Sequence, residues 1–302
     1  MLNAKLKNYL LLHLIVFIWG FTAILGALIS LDAIPLVWFR MSLAAIFIGI
    51  YVAIKRLDLR VTKKLFTTLV IAGAVIAVHW ITFFMAIKVS NVSVTLATIS
   101  TGAFFTAFLE PIFYKRKMVW YEIMFGLIVI AGLYIIFNVG ADYKLGIFLA
   151  LISALLSSIF SLINGKLVQK IDPSVIGFYE ITAGVLLITG YLFINKQFTF
   201  EYFQLSTSDW MYMLLLSSVC TAFAIVASVK VMKLITPYTV MLTINLEPIY
   251  GIFLAYLIFG DAEKMSPGFY VGGAVILATV LANGIVKNTL KKKSSDKARQ
   301  IV

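Results

Sequence analysis

Ten apolar segments, each long enough to cross a bilayer, fall along this chain as two sets of five. A transmembrane helix needs about 20 mostly apolar residues. Windows of that length predict spans at 9–29, 34–54, 65–87, 93–114, 119–138, 145–168, 174–194, 210–232, 237–259 and 268–286. Because five is odd, the second set must enter the membrane upside down relative to the first. Inverted repeats of this kind hold a small-molecule site between the two copies near the midplane. The expected fold is an all-α integral membrane protein, with ten transmembrane helices as two inverted five-helix repeats around a central cavity. The repeats are placed at 1–138 and 139–288, with a basic tail at 289–302.

Composition supports a membrane class. The 302 residues are 62% hydrophobic and only 13% charged, with mean hydropathy +1.03, where a soluble chain carries about a quarter charged residues. Little chain remains for a soluble domain, since the longest internal gap is 195–209. Lys5 and Lys7 precede the apolar run Tyr9–Ile29, but that run is too long for a cleaved signal and lacks an A-x-A site. It is read as a retained first helix. Cys220, the single cysteine, excludes an intramolecular disulfide.

The formal charge of +12 would suit nucleic acid, but its distribution points elsewhere. With a cytoplasmic N-terminus, 20 of the 25 Lys and Arg fall on the cytoplasmic side. Only Lys88, Lys144, Lys196 and Lys264 fall opposite, and Arg40 lies inside a span. Enrichment of Lys and Arg on the cytoplasmic side sets topology. The basicity therefore implies a multi-pass protein of the cytoplasmic (inner) membrane with both termini cytoplasmic, and no nucleic-acid partner. Lys291–Lys293 fit an ordinary tail or a contact with anionic lipid.

The duplication has two anchors. Pro35 opens the second span and Pro173 the seventh, an offset of 138. Gly126–Gly132 aligns with Gly272–Ala278 at an offset of 146. Several short motifs stand in order along this frame: Ile18-Trp19-Gly20-Phe21, Arg40, Phe178-Tyr179-Glu180, Asn245-Leu246-Glu247-Pro248 and Phe259-Gly260-Asp261. In these the chain resembles the EamA-type family of the drug/metabolite transporter superfamily, as two copies of its domain. Two departures stand out: Lys115-Arg116 where the family has Gly-Glu, and Gly260-Asp261 in place of a second Gly-Glu. The resemblance implies a central cavity lined by helices one to four and six to nine, with five and ten set apart. It spans amino acids, metabolites and drugs, so it fixes no single substrate.

A charge at the bilayer centre costs at least about 2.5 kcal/mol, so intramembrane ionisable residues mark candidate sites. Glu247 lies near the centre of span nine, and Pro248 weakens the helix around it. Thr243 and Tyr250 share its helical face. The alternative is a protonated glutamate packed against a neighbouring helix. Arg40 suits a carboxylate, because its planar fork binds bidentately; otherwise it pairs with a glutamate or snorkels. Glu180 is loosely matched to it across the repeat. His79 titrates in the physiological range or packs as a hydrogen-bonding group. Ser157, Ser161 and Asn164 form a polar stripe on span six, and Thr98 belongs to another on span four; each lines the cavity or serves helix packing. Trp19 heads an aromatic wall or packs in the core.

No metal-ligand spacing, catalytic constellation or cofactor motif is present in the sequence. The expected function is transport of small metabolites or amino acids, in the export direction, by alternating access, and not enzymatic. Integral-membrane receptor, sensor or enzyme are the alternatives. Partners are a small-molecule substrate and the lipid bilayer. Gly268-x-x-x-Gly272 fits either a tight helix contact or a homodimer face.

Overall fold

In hydrocarbon every unpaired backbone N–H or C=O is expensive, so a spanning chain must satisfy its hydrogen bonds within each segment. The computed structural model is helical throughout and describes residues 4–115, 117, 120–139 and 143–300, with no strand among them. The first repeat comprises α1 (Ala4–Leu28), α2 (Ala33–Ile54), α3 (Lys63–Val89), α4 (Val92–Ile99), α5 (Gly102–Tyr114) and α6 (Trp120–Val139). The second comprises α7 (Lys144–Leu167), α8 (Pro173–Ile194), α9 (Thr207–Ser217), α10 (Ala224–Val231), α11 (Pro237–Ile244), α12 (Glu247–Phe259) and α13 (Pro267–Gln300). Among the described residues nine segments are long and apolar enough to cross a membrane. The tenth expected span is α6, whose apolar stretch Met124–Ile136 is shorter. In α13 the helix runs on through the basic tail to Gln300.

Two spans are broken near their middles. α4 stops at Ile99 and α5 begins at Gly102; α11 stops at Ile244 and α12 begins at Glu247. These four boundaries pair as 92 with 237, 99 with 244, 102 with 247 and 114 with 259, a constant offset of 145. The break is therefore a property of the repeat. Span eight is interrupted differently, by a π-helical turn over Ser218–Phe223 joining α9 to α10. Such turns recur at functional sites.

The helices also correct the repeat register. α2 and α8 each have 22 residues and start at 33 and 173, an offset of 140. Pro35 is the third residue of its helix and Pro173 the first of its own, so aligning the two prolines misplaces the register by two. Both positions tolerate proline because first-turn N–H groups have no helical partner. On the corrected register Arg40 and Glu180 are direct equivalents.

Bare backbone lets neighbouring helices approach. A Cβ on Gly73 of α3 would lie 2.4 Å from the Glu180 carbonyl oxygen, and one on Gly184 of α8 would lie 3.1 Å from that of Gly73. α6 and α13 pack on each other in the same way, with a Cβ on Gly272 falling 2.8 Å from the Gly132 carbonyl. Gly272, half of the GxxxG pair, is thus taken up by a contact within the chain.

The face away from the termini is laced together. Asp209 accepts from the Ser30 amide at 2.8 Å and hydroxyl at 2.6 Å. Lys88 donates to the Ile29 carbonyl. Glu263, from the α12–α13 connection, accepts from the free amides of Val92 (2.9 Å) and Ser93 (2.8 Å) at the start of α4, a charge-assisted cap. Trp38 and Trp210 join an aromatic cluster here. Trp38 donates to Thr189 at 2.8 Å and meets Phe198 and Tyr202 edge-on. Trp210 meets Phe39 edge-on.

Gly73→Ala places its methyl against backbone that only helix displacement can move. The expected cost is about 1–3 kcal/mol, read as a lower melting temperature in detergent, while Ala at the open Gly190 leaves it nearly unchanged.

Candidate functional site

The two broken spans and α1, α2, α3, α7 and α10 enclose a cavity of about 80 Å³. Its polar wall is built from Trp19, Thr22, Arg40, His79, Ser157, Ser161, Ser228 and Glu247. Trp80, Phe83 and Phe160 supply an aromatic wall. Met232 and Val240, at the end of α10 and the start of α11, extend it toward the face that carries the termini. No lining residue belongs to the tied segments at the opposite face.

Glu247 is placed by the break. As the first residue of α12 it sits where a carboxylate meets the positive end of a helix dipole. Pro248, at the second position of α12, needs no N–H partner there, and the span before it tightens through Asn245 and Leu246, which keep right-handed helical geometry. Pro248 itself turns away and lines a separate cleft against α13. The approach of α12 to α1 depends on the residue after Trp19: a Cβ on Gly20 would lie 3.2 Å from that of Tyr250. In the first repeat the position equivalent to Glu247 is Gly102, whose carbonyl accepts from Ser158 at 2.7 Å.

Arg40 is 1% exposed and held from two sides. Its guanidinium lies 4.0 Å from the centre of the Trp80 ring and 5.4 Å from that of Phe84, an attraction of the cation for the ring face. Its Nε donates to Thr221 Oγ1 at 2.6 Å. Thr221 lies in the π-helical turn, where its hydroxyl donates to the Leu216 carbonyl five residues back at 2.6 Å. The widened turn thereby fixes the hydroxyl that anchors Arg40. One terminal nitrogen, NH1, has no hydrogen-bond partner among the described residues.

His79 ties α3 to α7. Its Nδ1 lies 2.9 Å from the Ser153 carbonyl and 2.8 Å from the Ser153 hydroxyl, and that hydroxyl donates to the His79 carbonyl at 2.9 Å. A carbonyl only accepts, so Nδ1 carries the proton in this contact and a neutral ring leaves Nε2 as acceptor. Ser161, about two turns beyond Ser153 on α7, has a hydroxyl with no hydrogen-bond partner among the described residues.

Of the residues singled out from sequence, Trp19, Arg40, His79, Ser157, Ser161 and Glu247 meet in this cavity. Pro248, Glu180, Asn164, Thr98, Thr243 and Tyr250 lie outside its wall. Glu180 is fully buried and accepts from Asn164 Nδ2 at 3.0 Å, so these two serve each other between α7 and α8. Thr98 is buried in α4, and its neighbour Ile99 takes the cavity position. Thr243 donates to the Thr239 carbonyl at 2.9 Å. Tyr250 meets Phe17 edge-on. The shared face expected for Thr243, Glu247 and Tyr250 assumes one continuous helix, and the break at Asn245-Leu246 ends that continuity. Thr22, Thr221 and Ser228 are additions. Thr22 is legible as the next turn after Trp19, but Thr221 depends on a π-turn that carries no sequence signature.

Thr221→Val removes the acceptor from a buried charged donor. The expected loss is about 1–3 kcal/mol, seen as a lower melting temperature, with Thr221→Ser retaining most of the stability.

A family model described as the EamA-like transporter family matches twice, over residues 6–138 and 144–284. No curated protein matches the chain. One solved structure, described only as "Crystal structure of protein", is similar over 94% of this chain and 98% of its own, with a TM-score of 0.68 and 13% identity. That likeness shows a shared fold. With both halves of the chain matched separately by the family model, the protein belongs to the EamA-like transporter family, a multi-pass membrane family of the drug/metabolite transporter kind.

Proposed function

We propose that the chain moves a small amphiphilic solute, an amino acid or comparable metabolite, across the cytoplasmic membrane by alternating access. The observation that carries this reading is the pairing, in one buried cavity, of an arginine with a free donor and a glutamate at a helix break. Arg40 presents its unpartnered NH1 to an anionic group such as a carboxylate. Glu247 receives a substrate ammonium or a proton from across the same space. The aromatic wall of Trp80, Phe83 and Phe160 takes the apolar part of the solute.

The volume of about 80 Å³ admits a few waters, where sites for drug-sized ligands run to about 300–1,000 Å³. The cavity is therefore contracted, and loading requires the helices around it to separate. Its extension toward Met232 and Val240 supports access from the face of the termini. That face is cytoplasmic by the distribution of Lys and Arg; the export direction rests on the resemblance to the family.

A thermal-shift screen of purified protein against amino acids, other carboxylates and amines identifies the class, since a site ligand raises stability by mass action. Counterflow of the best ligand in vesicles then tests transport. Solute exchange above protein-free vesicles is expected; binding without exchange for every ligand would favour a receptor. Arg40→Lys keeps charge but loses the fork, and exchange of carboxylate-bearing solutes should fall about tenfold to a hundredfold. Glu247→Gln should abolish either ammonium selectivity or the response of flux to a pH gradient. Unchanged exchange with unchanged pH response removes Glu247 from the mechanism.

A further inference from the structure

A second concavity lies outside the central cavity, on the flank formed by α1, α2, α8 and the π-interrupted span α9–α10. It encloses about 580 Å³ and opens sideways between Tyr51 and Phe223, which are 47% and 46% exposed. Its floor is made of small or aliphatic side chains, including Ala222, Ala227, Ile48 and Val226. The π-turn creates the upper end, since Ser218, Ala222 and Phe223 all belong to it or adjoin its close. At the other end stand two exposed lysines, Lys230 and Lys233, three residues apart. The carboxylate in this rim, Asp172, accepts from the Ser174 amide at 2.8 Å and caps α8.

The dimensions suit one class of occupant. From Ser218 to Lys230 the helix rises about 18 Å at 1.5 Å per residue. One leaflet of hydrocarbon is about 15 Å deep, half of the roughly 30 Å core. The groove is thus an apolar channel one leaflet long, closed near mid-membrane and fringed by cations where headgroups lie. Basic pockets between transmembrane helices on the cytoplasmic side hold anionic headgroups. We infer that this groove is a binding site for an anionic phospholipid, with one acyl chain along the Ala222–Ala227 floor and the phosphate held by Lys230 and Lys233. The lipid would bridge α2 and α8 to the π-interrupted span that anchors Arg40, in contact with the moving parts of the bundle but apart from the solute cavity.

The test uses the full chain in a neutral detergent, titrated separately with phosphatidylglycerol, phosphatidylcholine of the same chains, and inorganic phosphate. Phosphatidylglycerol is expected to raise the melting temperature by a few degrees in a saturable way, and the other two are not. The double variant K230Q/K233Q should raise the half-saturating concentration about tenfold or more. A phosphatidylglycerol carrying a photoreactive mid-chain group should label peptides containing 47–51 or 218–227. Equal effects of the two lipids would overturn the inference. So would an equal effect of free phosphate, or a double variant that keeps both the preference and the labelling pattern. These readouts need no transported solute, so they stand or fall independently of the transport reading.

Discussion

A helix that stops halfway through hydrocarbon must end inside protein, because nothing in lipid will accept its last carbonyls or donate to its successors. Two spans of this chain lose their regular α-helical bonding midway, at Ser100-Thr101 and Asn245-Leu246, where the backbone stays right-handed but tightens for one turn, and both interruptions are placed within the bundle. At the first, Ser100 and Thr101 hydroxyls donate to the Ala97 and Thr98 carbonyls at 2.6 and 2.8 Å. At the second, tightened i-to-i+3 bonds from Asn245 and Leu246 do the same with backbone alone. Burying both ends requires α1, α3, α7 and α10 to surround them. The cavity is what remains between.

Within that frame the two copies differ in chemistry. The first break opens on Gly102 and presents backbone; the second opens on Glu247 and presents a carboxylate. A related contrast lies at the ends of the broken spans. Lys115 and Gly260 occupy equivalent positions and both have positive φ, 53° and 60°, but Lys115 is left-handed helical (ψ 41°) and Gly260 lies elsewhere (ψ −130°). Glycine reaches positive φ without steric cost, whereas lysine in the left-handed helical region pays about 1–2 kcal/mol. The departure from Gly-Glu at 115–116 is thus a real strain in the first copy, with a cation placed beside the carbonyl end of α5, where the dipole favours it.

Much of the fold is legible in the sequence because hydropathy is a long-range average. The span at 93–114 starts one residue inside Val92–Tyr114, and that at 237–259 matches the limits of α11 and α12, although each contains an interruption. The breaks themselves are only half legible: Pro248 marks one, but nothing comparable marks Ser100. The site divides in the same way. Of the stripe on the uninterrupted α7, Ser157 and Ser161 line the cavity, whereas Asn164 turns to Glu180, a partner that periodicity does not reveal. Thr243 and Tyr250 lie outside it, since their periodicity assumes one continuous helix. Partners far apart in sequence are invisible to any local pattern, as with Arg40 and Thr221, separated by 181 residues. The two-residue slip in the proline register leaves Arg40 and Glu180 only loosely matched in the sequence.

That equivalence bears on energetics. In an inverted-repeat protein with identical halves, turning the molecule over reproduces it, so its two facing states have equal energy by symmetry. Here the operation carries a cation stacked on Trp80 onto a carboxyl bonded to Asn164. Symmetry therefore does not require states that exchange the roles of the halves to share one energy: the Arg40–Trp80 and Glu180–Asn164 contacts give each half its own cost of rearrangement, while the sense of any net movement is left to gradients across the bilayer.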